Sequence, residues 1–452
     1  MAKDATTEGG FAPEYDAFVA THGAPERIEA MLCDLNGVLR GKWIPAEGAS
    51  KLASGGVRLP LSTYAPNILG EEVPESGLGI VVGDPDGVLV PVPGTLRPVP
   101  WSAGAAQVLV EMTDLDGLVS PMSPRAVLAR VLDRFAARGL SPVVATELEF
   151  YVIAGREAAD APPVPPEPSP VAQNYCLEVL ARHEDLLAEI LAACRAQGLA
   201  TDTLIAEYGP GQFEINFQHT GDVQAAAETA VLFRRLVRGV AAARGLEATF
   251  MAKPYADHPG NGMHAHVSLL DAGGANAFSA EDGVGPLLAR ALGGVIATMG
   301  DLQAIFAPHL NSYRRFQPMS FAPCAPDWAL DNRAAGLRVP ATQGPAARLE
   351  HRIAGADVNP YLALAAILGG MLWGIAHDAP LPAPMDAPGA EPAEPLTADW
   401  RTAVDRFAAS DIAADIFGTV YRDAYAAVRR DEIAKLTTQI TRLEYRTYLT
   451  RL

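Results

Sequence analysis

Three pairs of ionisable side chains lie two residues apart, in segments whose composition is typical of β-strands. They are Glu147 and Glu149 in ATELEFYVI, His264 and His266 in GNGMHAHVSLL, and Glu350 and Arg352 in RLEHRI. Residues i and i+2 of a strand point to the same face of a sheet. One such pair is common on an exposed strand. Three pairs that mix carboxylates with imidazoles indicate a sheet face whose charge must be neutralised by a bound group. Divalent cations together with a phosphate would neutralise it.

Further carboxylates lie in the segment IAEYGPGQFEINF, where Glu207 and Glu214 flank a Gly-Pro-Gly turn. Hard divalent cations such as Mg²⁺ prefer oxygen ligands, and carboxylates are their usual protein ligands. Five carboxylates and one imidazole would suffice for two or three metal positions if they converge. The candidate ligands are Glu147, Glu149, Glu207, Glu214, Glu350 and His264.

Arginines form the second part of the candidate site: Arg315, Arg333, Arg338, Arg348 and Arg352. A guanidinium group binds a carboxylate or a phosphate through two parallel hydrogen bonds. Metal ligands and arginines around one site indicate phosphoryl transfer from a nucleotide. The sequence contains neither a Walker A motif nor the glycine-rich loop of protein kinases.

Composition excludes several classes of function. The 452 residues carry a net charge of −18, which makes a nucleic-acid-binding surface improbable. Four cysteines without CxxC spacing, and a beginning without an apolar signal core, indicate a reduced, cytoplasmic protein. The most apolar run, which starts at Tyr361, contains adjacent glycines and directly follows a charged strand, so it predicts a buried helix and no membrane partner.

The elements that must position these residues change character along the chain. Residues 17–113 contain short strand-like segments broken by Gly and Pro, which predicts a small, mostly β unit. Three helix-then-strand units follow, and each helix is expected to end near a glycine, at Gly139, Gly198 and Gly245. This recurrence predicts one α/β domain whose helices back a curved sheet, with the acids on the other face of the sheet.

Nine segments, taken in order, resemble the glutamine synthetase superfamily over almost the whole chain. They include DLNGVLRGKWIP, ELEFYV, EYGPGQFEINF, GNGMHAHVSL, NSYRRFQP, DNRAAGLRVP, RLEHRIAGADVNPYLALAA and LEYRTYL. The resemblance implies an α+β fold, with an N-terminal β-grasp domain over residues 1–118. A catalytic α/β domain with a curved antiparallel sheet would follow over residues 119–452. It also implies rings of subunits, typically a dodecamer, in which the N-terminal domain of one subunit completes the active site of its neighbour.

The resemblance also implies a role for each matching residue. One Mg²⁺ or Mn²⁺ site would use Glu149, Glu207 and Glu214, and a second would use Glu147, His264 and Glu350. The remaining roles are glutamate binding for Gly260, His266, Arg315 and Arg352, and ATP binding for Ser268, Arg333, Arg338 and Arg348, of which Arg333 and Arg338 are also catalytic. ATP would phosphorylate the γ-carboxylate of glutamate, and a nitrogen nucleophile would then displace phosphate.

Two departures from glutamine synthetases concern the acids that surround the ammonium ion. Pro60 stands near the position of an aspartate supplied by the neighbouring subunit, and Phe321 stands where a flap glutamate is expected. An ammonium ion needs an anionic pocket in which to lose a proton, whereas an alkylamine brings its own apolar surface. The chain therefore resembles the γ-glutamyl-amine synthetases, with a polyamine, ethanolamine or an alkylamine as the nucleophile and Pro60 and Phe321 in the amine pocket.

Two other functions remain open at the level of sequence. A true glutamine synthetase would place its ammonium-side acids elsewhere, and a non-catalytic scaffold or regulatory relative would have lost metal ligands. None of the six ligands is missing, which argues against the scaffold. Pro259, at a position where an asparagine often contacts glutamate, weakens the assignment of glutamate as the acid substrate.

Overall fold

A computed structural model describes residues 10–167, 172–317 and 320–452. The helices of these residues are α1 Phe11–His22, α2 Ala49–Ala53, α3 Pro124–Ala136, α4 Leu177–Arg182, α5 Glu184–Ala196, α6 Val223–Ala243, α7 Pro286–Phe306, α8 Pro360–Ala376, α9 Trp400–Ala409, α10 Asp411–Phe417, α11 Thr419–Thr437 and α12 Arg442–Tyr448. The strands are β1 Arg27–Cys33, β2 Leu39–Pro45, β3 Arg58–Pro60, β4 Asp86–Pro91, β5 Arg97–Pro98, β6 Ala105–Thr113, β7 Ser141–Ala154, β8 Thr201–Ala206, β9 Gln212–Phe217, β10 Leu246–Thr249, β11 Met263–Leu270, β12 Trp328–Leu330, β13 Leu337–Ala341 and β14 Arg348–His351.

The strands form two sheets. The N-terminal sheet has the order β2-β1-β6-β4-β3, with β5 paired to β6, and only β1 and β6 run parallel within it. The larger sheet has the order β12-β13-β14-β11-β7-β9-β8, with β10 paired to β7. Its pairs are antiparallel except for β12 with β13. The mixed α and β organisation expected from the sequence is confirmed.

Strand β7 shows why one face of the larger sheet is available for chemistry. Its even-numbered residues from Pro142 to Val152 are buried, whereas Val143, Ala145, Glu147 and Glu149 on the other face are only partly buried. Helices α3 and α6 pack against β7. Because side chains alternate along a strand, the apolar set faces these helices and the carboxylates face the opposite side.

The two helices that cover β7 have clear sequence signals. In α3, the Ser123 side chain caps the first turn by accepting a hydrogen bond from the Ala126 amide, and Pro124 occupies the first helical position. Its buried residues include Val127, Val131 and Phe135, which recur about once per turn. The glycines expected after the helices, Gly139, Gly198 and Gly245, have φ angles of 66°, 64° and 70°. This left-handed conformation costs glycine little, which explains why it ends these helices.

The apolar run from Tyr361 forms the buried helix α8, as the sequence predicts. Its cap residue, Asn359, accepts hydrogen bonds from the amides of Tyr361 and Leu362 and donates one to the carbonyl of Asp34. The cap therefore also ties α8 to the residue that directly follows β1 of the N-terminal sheet. Within the three described ranges, no helix combines the length and apolar character needed to cross a membrane.

Candidate active site

Strand register brings the ionisable pairs of three strands into one row. Glu149 of β7 lies opposite Glu214 of β9, and Glu147 of β7 lies opposite His264 of β11. On the far side of β11, His266 lies opposite Glu350 of β14, which in turn pairs with Arg338 of β13. The row therefore crosses five neighbouring strands on the face away from the packing helices, and every member comes from a segment that the sequence singles out.

Glu147 is bound by both histidines of β11. Its Oε2 atom lies 3.1 Å from Nδ1 of His264, and its Oε1 atom lies 2.9 Å from Nε2 of His266. Burial opposes ionisation of Glu147, but the two histidines outweigh burial and lower its pKa below the usual value. Burial lowers the pKa of His264, and the nearby Arg352 adds to that effect. Glu147 is thus the carboxylate of the row that stays ionised most readily.

Glu149, Glu207 and Glu214 form a cluster whose members, unlike Glu147, have raised pKa values and resist ionisation. One oxygen of each lies within 4.8 Å of the others. Burial, followed by repulsion from Glu207, raises the pKa of Glu149 to about 8, and burial likewise raises the pKa of Glu207. Burial and repulsion from the neighbouring carboxylates hold the pKa of Glu214 well above its usual range. Three buried carboxylates that suppress one another's ionisation fit a divalent cation, which would supply the missing positive charge.

Two further groups of potential metal ligands occur among the described residues. Glu147 lies close to Glu214 and His264 in one group, and close to His266 and Glu350 in the other. The second trio expected from the sequence, Glu147 with His264 and Glu350, is not one of these groups and remains a prediction, although His264 and Glu350 lie close enough for each to shift the pKa of the other. Glu350 itself is held by two arginines. Arg338 donates to its Oε2 atom over 2.8 Å, and Arg352 donates to its Oε1 atom.

Two cavities meet at this row. The carboxylate cavity, of about 570 Å³, has Glu149, Glu207, Glu214, Arg315 and Arg352 among its lining residues. The arginine cavity, of about 960 Å³, has Glu147, His266, Ser268, Arg338 and Arg348 among its lining residues. Arg333 lines both cavities. The structure therefore brings the expected ATP-binding residues together on one side of the row, and most of the expected glutamate-binding residues on the other.

Arg315 is the most distinctive cation of the carboxylate cavity. Its guanidinium is buried, donates one hydrogen bond of 2.9 Å to the Ile353 carbonyl, and leaves its Nε atom without a partner in the described part of the chain. Burial lowers its pKa. A buried guanidinium with unused donors that lines a cavity is suited to bind a carboxylate. Gly260 packs beside it, since a Cβ atom at Gly260 would lie 2.8 Å from Cγ of Arg315.

His266 differs from the other residues expected to bind glutamate. It lines the arginine cavity, where its Nδ1 atom accepts a 3.2 Å hydrogen bond from Nε of Arg348. It therefore connects an expected ATP-binding arginine to Glu147. Pro259 lines the carboxylate cavity, and its carbonyl accepts a 2.9 Å hydrogen bond from the Tyr151 hydroxyl.

The two residues of the expected amine pocket lie in different places. Phe321 lines the carboxylate cavity, whereas Pro60 lies on β3 of the N-terminal sheet, opposite Asp86, and lines neither cavity. Tyr208 lies in ring contact with Phe321, and Tyr175 lines the same cavity; neither tyrosine is among the residues that the sequence singles out. The only local signal is that Tyr208 directly follows Glu207. Apart from the cluster of three glutamates, no acidic side chain of the described ranges lines this cavity.

Known proteins resemble this chain over most of its length. A family model described as the catalytic domain of glutamine synthetase matches residues 121–448. The γ-glutamylputrescine synthetase PuuA of Escherichia coli K12 is 38% identical over 445 residues, which span 96% of this chain and 94% of that protein. A glutamate–isopropylamine ligase of a Pseudomonas species is 32% identical, over 96% of each chain. The solved structure of GmaS in complex with ADP superposes with a TM-score of 0.83 at 29% identity, covering 96% of this chain and 99% of that one.

Proposed function

The chain belongs to the glutamine synthetase family, and on this basis we propose that it joins the γ-carboxylate of glutamate to a primary amine in an ATP-dependent reaction. The γ-phosphoryl group of ATP is transferred to the carboxylate, giving γ-glutamyl phosphate and ADP. The amine nitrogen then attacks the acyl carbon, a C–N bond forms, and phosphate leaves. The observation that carries this proposal is the row of carboxylates and histidines at the junction of two cavities, one lined by arginines and one by carboxylates.

The arginine cavity is assigned to ATP. Arg338 and Arg348 line it together with Ser268, and Arg333 stands where the two cavities meet. Guanidinium groups in this arrangement would bind the phosphates and stabilise the charge that develops during transfer. Arg333 is exposed to solvent, so it can reach a phosphate without breaking a buried ion pair.

The carboxylate cavity is assigned to glutamate. Arg315 would bind a carboxylate of the substrate through its unused donors, and Arg352 would assist from the same wall. The close approach of Gly260 to Arg315 leaves no room for a side chain at this position of the cavity wall. His266 would act from the nucleotide side, through Glu147 and Arg348.

Divalent cations fit the row, and Mg²⁺ or Mn²⁺ at two or three positions is part of the proposal. Glu149, Glu207 and Glu214 would hold one cation, and Glu147 with His264, His266 or Glu350 would hold others. When bound, the cations offset the negative charge of the phosphates and of the substrate carboxylate as these are brought together. Arg338 and Arg352 keep Glu350 fixed beside this position.

An amine is favoured over ammonia as the nucleophile because of what lines the carboxylate cavity. Phe321 lies at the position where a glutamate is expected in glutamine synthetases, and aromatic rings lie around it. Two similar proteins bear names that identify them as ligases of glutamate or the γ-glutamyl group with putrescine and with isopropylamine. An apolar wall offers an alkylamine favourable contact and offers an ammonium ion none.

The direct experiment measures phosphate release from ATP, Mg²⁺, glutamate and a panel of primary amines. Wild-type protein should release phosphate only when ATP, glutamate and an amine are all present. Glu149→Ala and Glu214→Ala should each lower the rate at least about 10²-fold, the scale of losing one electrostatic group at a reacting centre. Glu157→Ala, at an exposed acid that lines neither cavity, is the matched control. Release that does not depend on glutamate, or variants as active as the control, would contradict the proposal.

We also propose the assembly and domain organisation typical of the family. Residues 1–118 would form a β-grasp domain, and residues 119–452 the catalytic domain. Subunits would associate into rings in which the N-terminal domain of one closes the carboxylate cavity of the next. The position of Pro60, on the N-terminal sheet and away from both cavities of its own subunit, is compatible with a role in the neighbouring one.

A further inference from the structure

We propose that Tyr175, Tyr208 and Phe321 form an aromatic subsite that recognises the carbon chain of the amine. This inference rests on the proposed function, because it specifies which amines that site accepts. All three residues line the carboxylate cavity, and the rings of Tyr208 and Phe321 are in contact, with centroids 4.9 Å apart. Their exposed fractions are 53%, 39% and 64%, which is unusual for three large rings at one cavity.

Backbone conformation gives independent support. Tyr175 and Phe321 have φ angles of 65° and 60°, and Asn174, which also lines the cavity, has a φ of 44°. A positive φ is a genuine outlier for a bulky residue and is a strained backbone conformation. Half of the six non-glycine residues with positive φ in the described ranges therefore lie at this one cavity. Such strain persists where the surrounding structure holds it, and it concentrates at ligand sites.

Specific hydrogen bonds hold the strained segments. The Gln173 amide donates to the Tyr208 carbonyl and the Tyr175 amide to the Ala206 carbonyl, so the two tyrosine-bearing segments run side by side. The buried Gln173 side chain donates to the carbonyls of Glu207 and Gln212. On the other segment, the Ser320 hydroxyl donates to the Arg315 carbonyl over 2.5 Å, directly before Phe321. The rings are thus fixed to the same loops that carry Glu207 and Arg315.

The lining of the subsite favours the methylene groups of an amine over a second charged group at its far end. The acids of the described residues that line the cavity are the three glutamates assigned to a cation, and one of them, Glu207, directly precedes Tyr208. A second ammonium group at the far end of the amine would therefore find no lining carboxylate that is not already assigned to a cation. Methylene groups, in contrast, gain from contact with aromatic faces. The amine class that fits is an aliphatic primary amine of two to four carbons, whether or not its far end is charged.

The test is a series of amines assayed by phosphate release with saturating ATP and glutamate: ammonium, methylamine, ethylamine, propylamine, butylamine and putrescine. Each methylene that reaches the rings should raise kcat/KM by about 4-fold. Butylamine should be at least as good a substrate as putrescine. In the wild type, a kcat/KM that does not change with chain length would overturn the inference while leaving amine ligation intact. A strong preference for putrescine over butylamine would do the same. Absence of turnover with every amine would instead refute the proposed function, and the subsite with it.

Variants distinguish the effect of the aromatic rings on amine specificity from the effect of the strained backbone that carries them. Phe321→Ala and Tyr208→Ala should flatten the dependence of kcat/KM on chain length, lowering kcat/KM for butylamine far more than for ammonium. Phe321→Gly, which removes the ring and also relieves the strain at a φ of 60°, should flatten the series as Phe321→Ala does. Tyr208→Phe keeps the ring and should keep the slope. Leu115→Ala, at an exposed site in the N-terminal unit, is the control. Ring-deleting variants that lose ammonium and butylamine turnover equally would show that the rings support the fold and do not bind the amine.

Discussion

Replacing Glu149 by glutamine should stabilise the metal-free protein and weaken its response to Mg²⁺. Glutamine has nearly the same shape as glutamate, and its carbonyl oxygen can keep the 2.7 Å hydrogen bond that Oε2 of Glu149 accepts from the Gly262 amide. At pH 7 the substitution therefore replaces a carboxyl group that the metal-free folded protein must keep protonated by a neutral amide, and it changes little else in the cluster with Glu207 and Glu214. Any change in the free energy of unfolding can then be attributed to the electrostatics of the cluster, because the packing of the side chain is kept.

The magnitude follows from the pKa of Glu149, which burial and Glu207 raise from 4.5 to about 8. Because the folded pKa lies above the unfolded one, the carboxyl group favours folding below pH 4.5, and this contribution is lost as the pH rises to about 8. At 1.36 kcal/mol per unit, the 2.5 units between pH 4.5 and pH 7 correspond to a cost of about 3 kcal/mol in the metal-free protein. Replacing the titratable group by an amide should recover about that amount, which is about 3 °C in Tm for a chain of this length.

Thermal unfolding in EDTA and in a Mg²⁺ titration provides the assay. Mg²⁺ at about 100 times its Kd should stabilise the wild type by about 2.7 kcal/mol. Glu149→Gln should begin at a higher Tm in EDTA and gain much less from Mg²⁺, whereas Glu157→Gln, at an exposed acid, should follow the wild type under both conditions. An unchanged Tm in EDTA together with a full response to Mg²⁺ would refute the assignment of Glu149 as a metal ligand.

Three further predictions address the substrates and the assembly. Arg315→Lys should raise the KM for glutamate about 10²-fold, through loss of charge-assisted hydrogen bonds, and leave the KM for ATP unchanged; an unchanged glutamate KM would place the substrate carboxylates elsewhere. Specificity constants compared at one pH should favour a C2 to C4 amine over ammonium, and a preference for ammonium would make the chain a glutamine synthetase whose acids lie at other positions. Light scattering should show a ring-sized oligomer, and a fully active monomer would exclude an active site shared between subunits.

The sequence predicts which neighbouring ionisable residues share a sheet face, because this depends only on their spacing along one strand. The pairs Glu147/Glu149 and His264/His266 share a face in the structure since any strand places residues i and i+2 together. The helices α3, α5 and α6 were likewise expected from periodicity and their terminal glycines. The assignment of individual ligands to metal positions came from the resemblance alone and remains a prediction.

The sequence does not predict the register between strands that are distant in the chain. This register decides which side chains lie beside each candidate metal ligand. Whether His264 or His266 stands beside Glu350 depends on the alignment of β11 with β14, two strands some eighty residues apart in the chain. The aromatic subsite was missed for a similar reason. Tyr175, Tyr208 and Phe321 come from three distant segments, and the positive φ of two of them runs against the preference of aromatic residues. Propensity alone therefore predicts the wrong backbone at the positions where the cavity is shaped.

Strand β7 links the two halves of the proposed reaction. Glu147 lines the arginine cavity and Glu149 the carboxylate cavity, although both belong to one face of one strand. Same-face neighbours on a strand are about 6.6 Å apart, so the two carboxylates belong to adjacent parts of the site. The two positions also differ in charge, because the histidines keep Glu147 ionised while Glu149 resists ionisation. A cation at Glu149 would remove this difference. The cluster around Glu149 is therefore the part of the site whose charge a metal changes most.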